Sequence, residues 1–262
     1  MLLVPGTFSN HTFWLGTRGT GFARTLAAHG YRAWALDPRG HGGSERQPRG
    51  ARWDFDDWAR RDLPAAIRAI GAPCFLIGHS AGGAAVLAAL AARPDLHARA
   101  RGVVTIGTPL PWLQPWRGLG ARMILWAALA FERFPARLLR LGPEDELAGV
   151  MSQWMRWNLE GHWRGDDGTD YSGRFGALRM PYLAIAGTGD RFFAPPAACR
   201  GLFELIGAPD RELIVFGRED GHTADYGHVD LVVSRPARIE IWPQILRWLD
   251  QHRAASVPPP TA

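Results

Sequence analysis

The sequence has no lysine, so its positive charge comes from arginine alone. The net charge is only +5 over 262 residues, and arginines alternate with acidic residues, as at Arg60, Arg61 and Asp62. No basic block or stripe is present that could follow a phosphate backbone. We therefore expect no nucleic-acid partner.

Cysteine is also scarce, with only Cys74 and Cys199 in the chain. Two cysteines so far apart do not form the spacing of a disulfide framework, and we expect two buried free thiols. The sequence also lacks a metal-ligand constellation and a glycine-rich phosphate loop, so we expect no cofactor and no bound metal.

Long apolar runs are missing as well. The nearest candidate, residues 123–131, is much shorter than the eighteen or so residues that cross a bilayer, so we expect no transmembrane segment. The first residues contain neither a basic region nor a cleavable apolar segment. These absences lead us to expect a cytoplasmic protein.

What the sequence does contain is a serine between glycines, Gly78-His79-Ser80-Ala81-Gly82. An apolar run precedes it and a helix of small residues, 81–92, follows it. A serine on such a strand-to-helix turn is held in a strained backbone with its hydroxyl projecting above the sheet. The pattern predicts that Ser80 is a nucleophile; the alternative is a surface serine in a glycine-rich turn.

Apolar strand-like runs alternate with helical patterns along the chain. The predicted strands cover 2–4, 33–36, 74–77, 103–106, 182–186 and 213–216, and the predicted helices 21–29, 55–70, 81–92, 197–206 and 237–252. This alternation predicts an α/β fold with a mostly parallel sheet and helices on both faces. In such a sheet the loops at the carboxyl ends of the strands form the binding crevice.

Residues 110–178 interrupt the alternation and have a different composition. They hold six of the twelve tryptophans: Trp112, Trp116, Trp126, Trp154, Trp157 and Trp163. We expect a helical cap here, inserted into a core of residues 1–109 and 179–253, with a disordered tail at 254–262. Most of the tryptophans are expected to pack the cap onto the core, and one or two could line an apolar pocket.

A nucleophilic serine needs a base, and the base needs an acid to orient it. Asp190 follows the strand over 182–186, where its carboxylate would face Ser80. Two histidines, His222 and His228, lie in the loop after the last strand. We choose His228 as the base and keep His222 as the alternative base.

The oxyanion of an acyl-transfer reaction needs two N–H donors. Ala81, directly after the nucleophile, supplies one, and the loop after the first strand supplies the other. Thr7 is the expected donor there, with Phe8 as the alternative if the turn is shifted by one residue. Of the remaining histidines near glycine-rich turns, His79 points away from Ser80 and His41 is expected to tether its own loop.

Five segments in order resemble the α/β-hydrolase superfamily, especially its capped esterase and lipase-like members. They are Pro5-Gly6-Thr7, residues 37–44 (Asp-Pro-Arg-Gly-His-Gly-Gly-Ser), the serine turn at 78–82, Gly189-Asp190 and Gly227-His228. The chain departs from the family pattern in two ways. Pro5 replaces a histidine, and the chain begins at what resembles the family's third strand, so two strands either are missing or lie upstream. The insertion then follows the family's sixth strand.

The resemblance implies two-step ester hydrolysis with Ser80, His228 and Asp190 as the triad. A serine rather than an aspartate at residue 80 argues against the haloalkane dehalogenase and epoxide hydrolase branches. The tryptophan-rich cap favours a small or medium apolar ester as substrate. A cofactor-free perhydrolase or acyltransferase with the same triad, and a non-catalytic ligand receptor, are the alternatives. Chain length of the substrate and oligomeric state are not encoded in any motif.

Overall fold

The computed structural model describes residues 1–16, 19–111, 119–120, 122–123, 126 and 133–254. In these ranges six parallel strands form one sheet, in the order β2-β1-β3-β4-β7-β8. These strands are β1 Leu2–Val4, β2 Trp34–Ala35, β3 Cys74–His79, β4 Ala100–Ile106, β7 Tyr182–Gly187 and β8 Arg211–Phe216. A separate antiparallel pair consists of β5 Arg133–Phe134 and β6 Glu146–Leu147. The predicted parallel sheet is confirmed, with strand ends differing by up to three residues.

The helices follow the predicted alternation closely. They are α1 Thr12–Leu15, α2 Phe22–Ala28, α3 Phe55–Asp57, α4 Leu63–Ile70, α5 Ala81–Ala92, α6 Ala148–Glu160, α7 Pro196–Leu205, α8 Asp230–Val233 and α9 Arg235–Ala254. Short 3₁₀ turns cover Pro94–Arg99, Ser172–Ala177 and Arg218–Asp220. The single helix predicted over 55–70 contains a π-helical turn at Trp58–Asp62, between α3 and α4. Pro64 lies two residues after this turn, and a proline is a common site for a departure from α-helical geometry because it has no N–H to donate.

Every residue of β1, β3 and β7 is buried because helices cover both faces of the sheet, so these strands are mainly apolar rather than alternating. Successive residues of β1 point to opposite sides, so Leu2 and Val4 belong to one hydrophobic cluster and Leu3 to the other. Residues of α5 pack in the first cluster and residues of α2 and α9 in the second. The predicted arrangement of helices on both faces is thereby confirmed.

The strand register brings the predicted site loops together. Val4 pairs with Gly78, and His79 pairs with Ile106, so the segments after β1, β3 and β4 leave the sheet side by side. The chain runs from β1 outward to β2 and returns on the other side as β3, which makes the β1/β3 boundary a topological switch point. Ligands bind in the crevice at such a point.

Three tryptophans in the described part of residues 110–178 lie against the core. Trp157 and Trp163 are fully buried and Trp154 is half-buried, in a cluster that includes Phe55 and Trp58. Trp126 is 72% exposed. Trp112 and Trp116 lie outside the described residues, as do residues 255–262 of the tail predicted to be disordered. The buried tryptophans therefore pack this segment onto the core.

The two cysteines, Cys74 in β3 and Cys199 in α7, are both buried and free, as predicted. None of the helices in the described ranges combines the length and the apolar character needed to cross a lipid bilayer. Over the same ranges, no three His, Cys, Asp or Glu side chains lie close enough together to hold a metal ion.

Candidate active site

Ser80 lies between the end of β3 and the start of α5, in a backbone conformation that L-residues rarely adopt. Its φ is 53° and its ψ is −126°. The Ser80 N–H donates to the carbonyl oxygen of Ile106 at 2.8 Å, which ties the turn to β4. A strained conformation of this kind costs on the order of 1–3 kcal/mol and persists only where the surroundings enforce it. This strained conformation, at a half-buried serine at the switch point of the sheet, marks Ser80 as the candidate nucleophile.

Two glycines around Ser80 are required because β3, α5 and β1 approach each other too closely for a side chain. A Cβ at Gly78 would lie 2.4 Å from the backbone N and Cα of Gly83. A Cβ at Gly82 would lie 2.4 Å from the carbonyl oxygens of Val4 and Pro5. The glycines of the predicted serine turn are thus explained by close backbone packing.

The candidate acid and base are in contact. Asp190 lies three residues after β7, and its Oδ2 is 2.5 Å from Nδ1 of His228. Its other oxygen, Oδ1, accepts hydrogen bonds from the N–H groups of Phe193 and Ala194, both at 3.0 Å. Burial raises the pKa of Asp190, but the hydrogen bonds and charge of His228 and the two N–H groups outweigh it, so the pKa lies below its ordinary value. Asp190 is therefore an ionised carboxylate suited to orient the imidazole.

Three neighbours fix the ring of His228. The ring of Phe193 stacks on it at 4.9 Å between centroids, and the ring of His79 lies 4.6 Å away. Gly107 leaves space for the ring, since a Cβ there would be 3.3 Å from Nδ1. The His228 side chain remains 12% exposed.

His79 supports this arrangement as a neutral side chain. Its Nε2 lies 3.0 Å from the carbonyl oxygen of His228, which can only accept, so Nε2 carries the hydrogen. Burial, followed by the proximity of His228, lowers the pKa of His79 to about 3. His79 therefore holds the backbone of His228 and does not exchange protons at neutral pH.

The alternative base, His222, lies elsewhere in the same loop. Its Nδ1 is 3.7 Å from Oε2 of Glu240, and its ring contacts that of Phe216 at 4.6 Å. The structure thus brings His228, and not His222, to Asp190.

The predicted oxyanion loop lies directly against Ser80. A Cβ at Gly6 would be 3.0 Å from Cβ of Ser80. Within the described part of the chain, the N–H groups of Thr7 and Ala81 make no hydrogen bond. The Phe8 N–H, in contrast, donates to Oε2 of Glu146 at 3.0 Å. The predicted donors Thr7 and Ala81 are thus available, whereas the alternative Phe8 is occupied.

Two residues of this region were missed by sequence reasoning. Thr108 donates from its hydroxyl to the carbonyl oxygen of Ser80 at 3.0 Å, and its position just after β4 is a signal that could have identified it. Glu146 is fully buried beneath the oxyanion loop. It belongs to no motif and lies 138 residues from Phe8 in sequence, so no local signal points to it.

Comparison with known proteins agrees with this architecture. The chain resembles the structure of a thermophilic esterase from Thermogutta terrifontis with malate bound, with a TM-score of 0.66 and 19% identity over 96% of this chain and 89% of that one. A monoacylglycerol lipase from Paleococcus ferrophilus gives a TM-score of 0.66 and 19% identity over 96% and 93% of the two chains.

A third neighbour is a Mycobacterium tuberculosis protein assigned as a non-heme bromoperoxidase, with a TM-score of 0.66 and 17% identity over 97% and 92%. At these identities the likeness establishes the fold alone. A search of curated proteins gave no match. The model of the Alpha/beta hydrolase family matches residues 1–240, which is most of the chain. The protein therefore belongs to the alpha/beta hydrolase family.

Proposed function

We propose that this protein is a serine hydrolase that cleaves carboxylic esters of small or medium apolar substrates through an acyl-enzyme. The observation that carries the proposal is the 2.5 Å contact between Asp190 and His228, set beside a serine whose backbone is strained at the switch point of the sheet. Family membership and the esterase and lipase among the structural neighbours support the same reaction class.

In the proposed reaction, His228 Nε2 accepts the proton of the Ser80 hydroxyl as Oγ attacks the ester carbonyl carbon. The carbonyl oxygen becomes an oxyanion that the N–H groups of Thr7 and Ala81 stabilise. His228 then donates its proton to the departing alcohol, which leaves an acyl group on Ser80. Water, deprotonated by His228, releases the acid and restores the serine. Asp190 holds the tautomer with hydrogen on Nδ1 throughout.

The surface around His228 supports an apolar substrate. Phe192, Phe193 and Val229 are 66%, 42% and 48% exposed, and the ring of Phe193 stacks on the imidazole. Apolar acyl or alcohol groups gain free energy by covering such surface. We further propose that residues 110–178 form the cap over this crevice, as their place after β4 suggests.

Acyl transfer to another nucleophile, such as a perhydrolase or acyltransferase reaction, is the second candidate. It uses the same triad, and the bromoperoxidase assigned among the neighbours is the observation that favours it. A receptor without turnover would have no need of a strained serine or of a histidine oriented by a carboxylate. A non-catalytic ligand receptor is therefore the least favoured of the three candidate functions.

The test is turnover of p-nitrophenyl esters from acetyl to palmitoyl by wild type and Ser80→Ala, with a fluorophosphonate to label the nucleophile. We expect hydrolysis and labelling in wild type and neither in Ser80→Ala. Faster product formation with an added alcohol or peroxide acceptor than with water would favour the transferase. Binding of esters without turnover or labelling by the folded wild type would contradict both catalytic proposals.

A further inference from the structure

We propose that Glu146 is a positioning residue that fixes the oxyanion loop from the cap side, by holding the backbone of Phe8 so that the N–H of Thr7 faces Ser80. The inference rests on the proposed function. It also assigns a role to the buried histidine His41, which the proposed chemistry does not use.

Phe8 is held on both sides by one short segment of the insertion. Its N–H donates to Oε2 of Glu146 at 3.0 Å, and its carbonyl oxygen accepts the N–H of Glu144 at 3.1 Å. Phe8 has a φ of 64°, one of three non-glycine residues with positive φ in the described ranges. Such a conformation costs on the order of 1–2 kcal/mol and needs external contacts to persist. Glu146 and the backbone of Glu144 supply those contacts.

The Glu146 carboxylate is an expensive group to bury, and the surroundings satisfy it completely. Besides Phe8, it accepts the N–H of Leu147 through Oε1 at 2.9 Å. The same oxygen lies 3.1 Å from Nε2 of His41, close enough for an ion pair although not aligned as a hydrogen bond. The side chains of both residues are fully buried. A buried carboxylate is tolerated only with partners of this kind.

His41 is arranged to carry the opposing charge. Its Nδ1 lies 3.2 Å from the carbonyl oxygen of Arg39, which can only accept, so Nδ1 carries a hydrogen. Burial lowers the pKa of His41, but the charge and proximity of Glu146, the carbonyl oxygen of Arg39 and the charge of Glu144 together outweigh burial and raise the pKa above its ordinary value. The raised pKa of His41 favours its cationic form, which places a positive charge beside the buried carboxyl group of Glu146.

Holding Phe8 in place also constrains its neighbour Thr7. Consecutive N–H groups in a turn point in different directions, so fixing Phe8 toward Glu146 fixes the direction of Thr7. Gly6, on the other side of Thr7, is pressed against Ser80. With both neighbours held, Thr7 N–H has one orientation before substrate binds, which is the condition for effective oxyanion stabilisation.

Glu146→Ala should therefore lower kcat and leave KM nearly unchanged. Removing an oxyanion donor outright costs about 10²- to 10³-fold in kcat, so loosening one should cost less, about 10- to 100-fold. Glu146→Gln is the conservative variant. Its amide oxygen can accept from Phe8, and its amide nitrogen can donate to a neutral His41. The N–H of Leu147 then loses its acceptor, which lowers stability but leaves the contact to Phe8, so we expect kcat within about threefold of wild type.

A matched control is Glu144→Gln, in the same segment. The Glu144 side chain accepts from Asn10 and from the N–H of Gly42, while the backbone of Glu144 contacts Phe8 in either variant. Glu144→Gln removes a carboxylate without removing a contact to Phe8. The loss in kcat of this variant should therefore be clearly smaller than that of Glu146→Ala.

The decisive readout is inhibition by an alkyl trifluoromethyl ketone. Ser80 Oγ adds to the ketone carbon, the serine proton passes to His228, and the ketone oxygen becomes an anion in the proposed oxyanion hole. For Glu146→Ala the inhibition constant should rise in parallel with the fall in kcat/KM. A merely structural role would reduce the fraction of sites labelled by fluorophosphonate and leave the inhibition constant of the active sites unchanged.

The outcomes separate the inference from the proposed function. An inactive, unlabelled wild type would contradict the proposed function itself. An active wild type together with a folded Glu146→Ala of unchanged kcat and inhibition constant would overturn the inference alone. If Glu146→Ala does not fold, Glu146→Asp replaces it. Its carboxylate is one methylene shorter and withdraws from Phe8, so wild-type values in Glu146→Asp would also overturn the inference.

Discussion

In two histidine-carboxylate pairs of the described residues the carboxylate side chain is at most 1% exposed: His228 with Asp190 and His41 with Glu146. In both pairs, two backbone N–H groups donate to the carboxylate: those of Phe193 and Ala194 to Asp190, and those of Phe8 and Leu147 to Glu146. The pairs differ in access. His41 is completely buried, whereas the His228 side chain keeps 12% of its surface exposed.

This difference shows that a carboxylate partner alone does not make a histidine a catalytic base. Proton transfer requires hydrogen-bond reach to the reacting group. The His228 side chain is partly exposed, whereas the ring of His41 is fully buried and contacts Arg39, Glu146 and Trp58. Under the proposed function, equivalent side chains therefore serve a reaction in one place and a loop conformation in the other.

The largest effect is expected when His228 is replaced, because activity should be lost while stability is retained. His228→Gln should reduce kcat/KM for the best p-nitrophenyl ester by on the order of 10⁴-fold or more, because the serine loses its base. Its melting temperature should stay close to that of wild type. Steady-state kinetics with a thermal melt checks both, and an active His228→Gln would refute the assignment of the base.

Replacing His41 should instead lower the stability of the folded protein. His41→Leu leaves the carboxylate of Glu146 buried without its countercharge, and breaking such a pair costs about 3–5 kcal/mol. We expect a loss of this order in the free energy of unfolding, measured by urea denaturation. A stability equal to wild type would mean that the two side chains do not form a charged pair.

The pH dependence of stability sharpens the same point. Because the folded-state pKa of His41 is raised, by the charge of Glu146 and also of Glu144 against the effect of burial, its proton stabilises the folded state. That contribution is complete below about pH 6.5, the ordinary histidine value, and is lost as the pH rises through the folded-state pKa.

The free energy of unfolding of wild type should therefore fall relative to His41→Gln as the pH rises from 6.5 toward 9. The slope can reach about 1.4 kcal/mol per pH unit where the proton is released. Denaturation curves of the two proteins at matched pH values test this. A constant difference across the range would contradict it.

The smallest effect is expected at the alternative base. His222 faces Glu240 and Phe216 at the far end of the loop, so His222→Ala should change kcat/KM by less than about threefold. It is also the control for His228→Gln, since both change a histidine of one loop. A large loss with His222→Ala and a small one with His228→Gln would reverse our choice.

Sequence patterns predicted the fold well because its signals are local. Continuous apolar runs, glycines at Ser80 and the alternation of strand and helix depend on neighbouring residues, and these predictions are confirmed to within a few residues. The π-helical turn at Trp58–Asp62 was missed because it is a local widening of an otherwise regular helical pattern. The roles given to Ser80, Asp190, His228, Thr7 and Ala81 stay predictions until turnover is measured.

The α/β fold and the serine on a strained turn could be predicted from the sequence, because the burial of apolar strands and the steric needs of glycine depend on short segments. The contact of His228 with Asp190, and the use of the Phe8 N–H by Glu146, are seen only in the tertiary structure. These contacts depend on groups far apart in the chain, such as Phe8 and Glu146, whose meeting is set by strand register and by the packing of residues 133–178 on the core.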